Sequence, residues 1–332
     1  MERVLKKCQI SSRLLRECFA EFLGVYILIL FGCGSVAQVT TSKNSKGEYL
    51  SINLGFALGT TFGVYVSKGV SVRGIAMVRS KELSEAFRKR IVDAYESGAH
   101  LNPAVSLSLC FLGRFPWTRL PFYIISQVFG AFLAAATVAL QYFDAIIHYS
   151  GGHLTVSGPT GTAGIFSTYP AEYLSVWGGV VDQVIGTAAL MVCVLALGDG
   201  RNFPAPPGLE PVLVGAVVLV IGVSMGSNSG YAINPARDLG PRVFTCIAGW
   251  GDEVFRAGAG WWWIPVVATC VGGLIGSLIY ELLIAVHHPE QEVTKTVDNL
   301  QDLELDASQK ESDKPDELKV TQEQNHVSFP PP

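Results

Sequence analysis

Charge is scarce in this sequence. Asp, Glu, Lys and Arg make up 16% of its 332 residues, while 49% are hydrophobic; a soluble domain carries about a quarter charged residues. The shortage excludes an ordinary soluble domain, and the charges present gather outside long apolar runs. No stretch concentrates Lys and Arg as a nucleic-acid interface would, so no such partner is expected. The seven cysteines, Cys8, Cys18, Cys33, Cys110, Cys193, Cys246 and Cys270, stand mostly inside apolar runs and at no metal-ligand spacing. There a free Cys acts as a small hydrophobe, so no zinc site, disulfide framework or cofactor is expected. No nucleophile, base and orienting group recur at a usable spacing, and the chain does not read as an enzyme. The first apolar run follows basic residues and is long enough to span, which argues against a cleaved signal peptide.

What the chain has instead is a series of membrane spans, each a run of about 18 or more nearly uncharged residues. They are expected over residues 15–36, 50–68, 121–141, 179–197 and 211–225, with a sixth ending near 286. Arg3, Lys6, Lys7, Arg13 and Arg16 lie at or before the start of the first span and place the N-terminal segment 1–14 on the cytoplasmic side. Residues 143–178 form a long extracellular loop rich in Gly, Ser and Thr, and its 143–176 stretch has no Asn-x-Ser/Thr site. Trp261-Trp262-Trp263 reads as an aromatic belt at an interface. Residues 288–332 hold 11 acidic residues and 4 lysines, a net charge of −7 in a chain of −4, and read as an acidic, disordered cytoplasmic tail. With both termini inside, the expectation is a multi-pass protein of the plasma membrane.

Residues 98–113 form a box and a short apolar helix, and 235–247 a second helix after a like box; both helices are too short to span. The first box is Gly98-Ala99-His100-Leu101-Asn102-Pro103-Ala104, the second Gly230-Tyr231-Ala232-Ile233-Asn234-Pro235-Ala236-Arg237-Asp238. Asn caps a helix and Pro tolerates its first position. One such box is weak; two at matching places in two hydrophobic halves are a pattern. Gln183-Val184-Ile185-Gly186 also echoes Glu21-Phe22-Leu23-Gly24. Residues 15–142 and 179–287 therefore read as two repeats of three spans and one half-helix, the odd number of spans inverting the second. The fold class is an all-α polytopic membrane protein with six transmembrane helices and two half-helices in an inverted repeat.

Non-helical backbone at membrane depth is tolerated only where protein or a water-filled cavity satisfies it. Gly98, Ala99, His100, Leu101, Gly230, Ala232 and Ile233 are accordingly expected to line a pore with their carbonyls. Asn102 and Asn234 would offer N–H donors where the positive ends of the half-helices converge, a field that opposes cations and protons. Glu21, a carboxylate within a span, reads as a brace for a neighbouring loop, with Gln183 as its echo. His100 has two readings, a neutral histidine bound to backbone or a pH switch at the cytoplasmic side of the pore.

With those residues in view, 14–287 apart from 72–97 resembles the aquaporin, or major intrinsic protein, family. The paired boxes, Gly-Ala-His-Leu before the first and Arg237 after the second, carry the resemblance. Asp238, Gly161-Thr162-Ala163-Gly164-Ile165-Phe166 and Thr168-Tyr169-Pro170 are similar to its aquaglyceroporin branch. The resemblance implies an outer selectivity filter at Phe56, Gly222, Tyr231 and Arg237, although the span pattern alone would read Phe56 as packing. It implies that Gly222 leaves room for a carbon backbone, that Phe56 and Tyr231 form an apolar wall, and that Arg237 binds hydroxyls and repels cations. Water-only members usually carry a histidine in this ring and none stands here, which implies passage of glycerol, water and small neutral solutes such as urea. A homotetramer in a lipid bilayer, with one pore per subunit, is implied as well.

Residues 72–97 depart from that family. They hold six basic and four acidic residues, with Leu83, Phe87, Ile91 and Val92 on one face of an amphipathic helix from Ser80. They resemble the opening helix of mariner-superfamily transposases, without the rest of that domain and so without evidence of DNA binding. An exon from a mobile element, a gene-model artefact and a regulatory helix on anionic lipid all fit. Two rival functions stay open. A secondary transporter would need ion-coupling acids, for which Glu21 and Asp182 are the candidates. A non-conducting or regulated splice variant, or a structural membrane protein, is kept open by 72–97.

Overall fold

The computed structural model describes residues 10–71 and 99–289. The helix expected from Ser80, Gly98 and the character of the terminal segments lie outside the described residues. The chain divides into two units, Met1–His287 and His288–Pro332, and the first holds the architecture below.

Every described element is helical. Helix α1 (Arg13–Thr41) starts at Ser12, whose hydroxyl accepts from the Leu15 N–H. It overruns the expected 15–36 because Gln38, Thr40 and Thr41 continue it, and the Thr41 hydroxyl folds back onto the Ala37 carbonyl. Then come α2 (Tyr49–Ser71), the first half-helix α3 (Pro103–Phe111), and α4 (Leu120–Gln141). The long loop is not wholly irregular: α5 (Phe143–Ser150) occupies its start and is closed by Gly151 in a left-handed conformation. The second half follows with α6 (Val176–Gly198), α7 (Glu210–Met225), the half-helix α8 (Pro235–Thr245), the kinked α9 (Glu253–Gly260) and α10 (Ile264–Leu283).

Five described segments are long and apolar enough to cross a membrane, those containing α1, α2, α4, α6 and α10. The expected fifth span is α7, an apolar helix of 16 residues, which at 1.5 Å per residue is about 24 Å long. One side of α2 shows how a span divides its faces. Leu54, Leu58 and Phe62 are exposed, as a face toward hydrocarbon would be, whereas Asn53, Phe56 and Thr60 are buried.

Packing repeats between the halves. Helix α1 lies against α2 and α4; α6 lies in the same way against α7 and α10. The half-helices are exchanged: α3 packs on α10 and α8 on α4, so each rests against the last span of the other repeat, while α2 and α7 meet between the halves. The two half-helix starts are thereby brought together in the interior.

Candidate functional site

At the start of each half-helix the Asn side chain does two jobs. Asn102 Oδ1 accepts from the Ala104 N–H at 2.8 Å, and Asn234 Oδ1 accepts from Ala236 and Arg237 at 2.9 and 3.2 Å. Both are caps, followed by Pro at the first helical position. The amide nitrogens cross over: Asn102 Nδ2 donates to the Ile233 carbonyl and Asn234 Nδ2 to the Leu101 carbonyl, each at 2.8 Å. A side-chain amide has two N–H donors. One of each is used by this exchange, which leaves one per Asn for a passing oxygen.

The crossed carbonyls require an unusual backbone. Leu101 and Ile233 both sit at positive φ, 54° and 44°, as does Tyr231 at 42°, a region costly for side chains with a Cβ. The echoed Glu-x-x-Gly and Gln-x-x-Gly motifs explain how it is held. Glu21 accepts from His100 N and Leu101 N at 2.7 and 2.8 Å; Gln183 Oε1 accepts from Ile233 N at 3.0 Å. The partner glycines make space for the same two residues. A Cβ at Gly24 would collide with Leu101 Cδ2, and one at Gly186 would come within 3.1 Å of Ile233 Cγ2. Each motif thus pairs a polar brace with a gap for the side chain that the strained backbone throws back.

The brace has a wider frame. Gln127 of α4 donates to Glu21 at 2.8 Å and to Ser106 Oγ at 3.1 Å. Ser106 gives its hydroxyl hydrogen to the Asn102 carbonyl. His100 Nδ1 lies 3.0 Å from the same Ser106 Oγ. The His100 ring lies among the rings of Phe115 and Tyr123. On the second half the carboxylate is displaced by one residue. Asp182 accepts from Asn228 and Ser229, both at 2.8 Å, and from Gln183 at 3.0 Å.

Two cavities lie along this path. One is lined by His100, Leu101, Asn102, Ile233 and Asn234 and reaches Glu210, whose carboxylate pairs with Lys68 of α2. The other is lined by Thr168, Gly230 and the segment from Ser227 to Ser229. Phe56, Tyr231 and Arg237 border both, so these three form the neck between them. The Arg237 guanidinium lies 4.8 Å over the Phe56 ring and donates to the Phe166 carbonyl at 2.9 Å, while Phe56 and Tyr231 meet edge to face.

Gly222 differs from its expected part. It borders neither cavity; a Cβ there would lie 2.8 Å from Tyr231 Cζ and 2.7 Å from Asn53 Oδ1. The missing side chain makes room for the Tyr231 ring to lie back against α7, and only indirectly for a solute. Trp261 differs too. It is 1% exposed and donates to Thr168 Oγ1 at 3.1 Å, so it belongs to the interior and not to an interfacial belt.

Comparison with known proteins bears on this geometry. The Major intrinsic protein family model matches residues 8–75 and 89–280. The chain belongs to the major intrinsic protein family. This major intrinsic protein is 46% identical over 310 residues to Aquaporin-10 of Homo sapiens, covering 92% of the chain and 94% of that relative. It is 47% identical over 283 residues to Aquaporin-9 of Homo sapiens, covering 85% and 87%. Its fold is similar to the X-ray structure of the aquaglyceroporin from Plasmodium falciparum, with a TM-score of 0.66 at 28% identity over 82% of this chain and 98% of that one. The family match breaks off after residue 75 and resumes at 89, inside the segment that departs from the pattern.

Several residues of this major intrinsic protein take on roles that their sequence neighbourhood shows weakly or not at all. Asp238, read only as a mark of the branch, is fully buried with Arg242 at 2.7 Å and accepts from the Thr168 N–H at 2.7 Å. Arg242 in turn donates to the Val254 and Thr168 carbonyls. This pair ties the loop that supplies Phe166 to the half-helix that supplies Arg237. Its four-residue spacing inside an apolar stretch was the available signal. Gln127 and Ser106 gave none, because each becomes polar scaffolding only through residues distant in sequence.

Proposed function

We propose that this chain is a passive channel for glycerol and water, and for other small neutral solutes such as urea, and not an enzyme. The observation that carries this reading is the pair of crossed Asn residues, each with one amide hydrogen left, lining a cavity that an aromatic and cationic neck joins to a second one. Donors at the centre and strained carbonyls beside them suit a file of hydroxyl groups, while Arg237 and the converging half-helix ends oppose cations. Phe56 and Tyr231 supply the apolar wall, and Arg237 the hydroxyl contact, of a selectivity filter to which Gly222 contributes by letting Tyr231 recede. Ala99, His100, Leu101, Gly230, Ala232 and Ile233 act through their carbonyls. A homotetramer in the plasma membrane with both termini cytoplasmic completes the proposal.

The transporter reading has less support. Both of its candidate acids are committed, Glu21 to the loop before Asn102 and Asp182 to the segment before Asn234.

The deciding experiment is stopped-flow light scattering on proteoliposomes of the full chain and of a version lacking 72–97. Glycerol and water flux in both is the expected result. Flux only after deletion would make this chain a closed variant, and flux in neither would reject the channel. Arg237→Ala is expected to add a proton leak, read with an entrapped pH dye, that the unaltered channel lacks.

His100 lines the first cavity, and histidine titrates near neutrality. Against its ring lie Ser106 of α3, Phe115, and Tyr123 of α4, with Glu17 of α1 behind Tyr123, while Glu21 of α1 holds its backbone N–H. If it acts as a switch, glycerol flux changes between mildly acidic and neutral pH and the change disappears in His100→Asn. A flux that is flat across that range leaves His100 the structural role of fixing Ser106 beneath Asn102.

A further inference from the structure

Asn53 stands three residues before Phe56 on the inward side of α2 and is 1% exposed. Neither its amide oxygen nor its amide nitrogen has a hydrogen-bond partner among the described residues, and the buried hydroxyl of Tyr231 is in the same condition. These groups are neighbours. Asn53 Oδ1 and Tyr231 Cζ both lie within 2.8 Å of the point where a Gly222 side chain would begin. One turn further along α7, a Cβ at Gly226 would collide with Tyr49 Oη and lie 2.9 Å from Tyr231 Cδ1. Two glycines of α7 thus let these side chains pack close behind the neck, where polar atoms of Asn53 and Tyr231 are gathered with the Tyr49 hydroxyl at the edge.

Buried polar groups are almost always hydrogen-bonded, and a cluster that is not calls for an explanation. A polar site with two to four partners is the kind that holds a single buried water. An amide offers both donors and an acceptor, and a phenol offers one of each, so the set matches a water's own two donors and two acceptors. An apolar occupant would leave every one of these atoms unsatisfied.

We propose that Asn53 and the Tyr231 hydroxyl share one buried water behind the neck, and that Asn53 is a positioning residue for the selectivity filter. The proposal rests on the reading of Phe56, Tyr231 and Arg237 as that filter. Tyr231 is held at positive φ with its ring at the neck, edge-on to Phe56. The water-bridged amide holds that ring from behind. Without it the ring leans toward Phe56 and the neck narrows, which obstructs a carbon backbone more than it obstructs water.

The test compares water and glycerol permeability of the full chain in proteoliposomes with those of Tyr231→Phe, Asn53→Leu, Asn53→Ser and the Tyr231→Phe/Asn53→Leu double variant. Tyr231→Phe and Asn53→Leu are each expected to lower the ratio of glycerol to water permeability by about threefold or more, the factor one ordinary hydrogen bond is worth. The double variant should match either single one, since both remove the same bridge. Asn53→Ser, which keeps a donor and an acceptor, should stay nearer the unaltered ratio. A merely structural role for Asn53 would lower both permeabilities together through the amount of folded channel. If Asn53→Leu does not fold, Tyr231→Phe decides, because it removes a single oxygen. An unchanged ratio in Tyr231→Phe, a change there with none in Asn53→Leu, or additive effects in the double variant would each overturn the proposal. Flux of neither solute through the unaltered chain would instead sink the channel reading beneath it.

Discussion

Replacing Asp238 with alanine should cost the protein about 3–5 kcal/mol, the penalty for leaving one member of a buried ion pair without its partner. Arg242 is fully buried, and its remaining contacts are the carbonyls of Thr168 and Val254 and the face of the Tyr169 ring, none of which carries a charge that would neutralise a guanidinium. The Thr168 N–H and hydroxyl lose their acceptor at the same time. The loop that presents the Phe166 carbonyl to Arg237 would then be untethered. Thermal unfolding in detergent, followed by size-exclusion chromatography of the heated samples, measures the loss. Substituting Arg242→Met together with Asp238→Ala should recover much of it, because an apolar replacement of the whole pair leaves no stranded charge. Equal stability of the Asp238→Ala variant and the unaltered protein would remove the pair from the account of how the neck is held.

Gly222→Val should have the largest effect on transport. Its added atoms would begin 2.7 Å from Asn53 Oδ1 and 2.8 Å from Tyr231 Cζ, too near for either to stay in place. Asn53 is enclosed between helices, whereas Tyr231 borders two cavities, so the ring is what moves, into the neck. Overpacking of this kind is worth about 1–3 kcal/mol, and a barrier raised by that amount slows glycerol about tenfold or more. Water, which needs less width, should be slowed less. The measurement is the same pair of permeabilities on equal amounts of folded protein. A variant that slowed both solutes equally would show that the glycine governs folding and not the neck.

How much could be read beforehand depended on whether a residue's task is local. The Asn-Pro-Ala boxes were legible because a cap and its following proline act within one turn, and their duplication announced the repeat. The polar brace at Glu21 could be inferred because a carboxylate inside a span needs donors. Its glycine partner Gly24 could not, since the side chain it makes room for is 77 positions away in the chain. Gly222 acts through a distant residue in the same way. A small residue in a filter position suggests open space, but here Tyr231 already fills the space that glycine leaves. Trp261 shows the limit of composition, since three adjacent tryptophans suggest an interface while hydrogen bonding draws the first of them inside. The helix at Phe143–Ser150 was hidden by the Gly- and Ser-rich sequence that follows it.

The exchange of half-helices carries a consequence for how the protein is made. Helix α3 leaves the ribosome long before α10, the last span of the other repeat, against which it comes to rest. Until residue 283 has been synthesised, the first half-helix lacks that support, and Leu101 and Asn102 can reach their partners only once Asn234 and Ile233 exist. A nascent chain in the bilayer is therefore never half a channel. Its conduit is completed only late in synthesis.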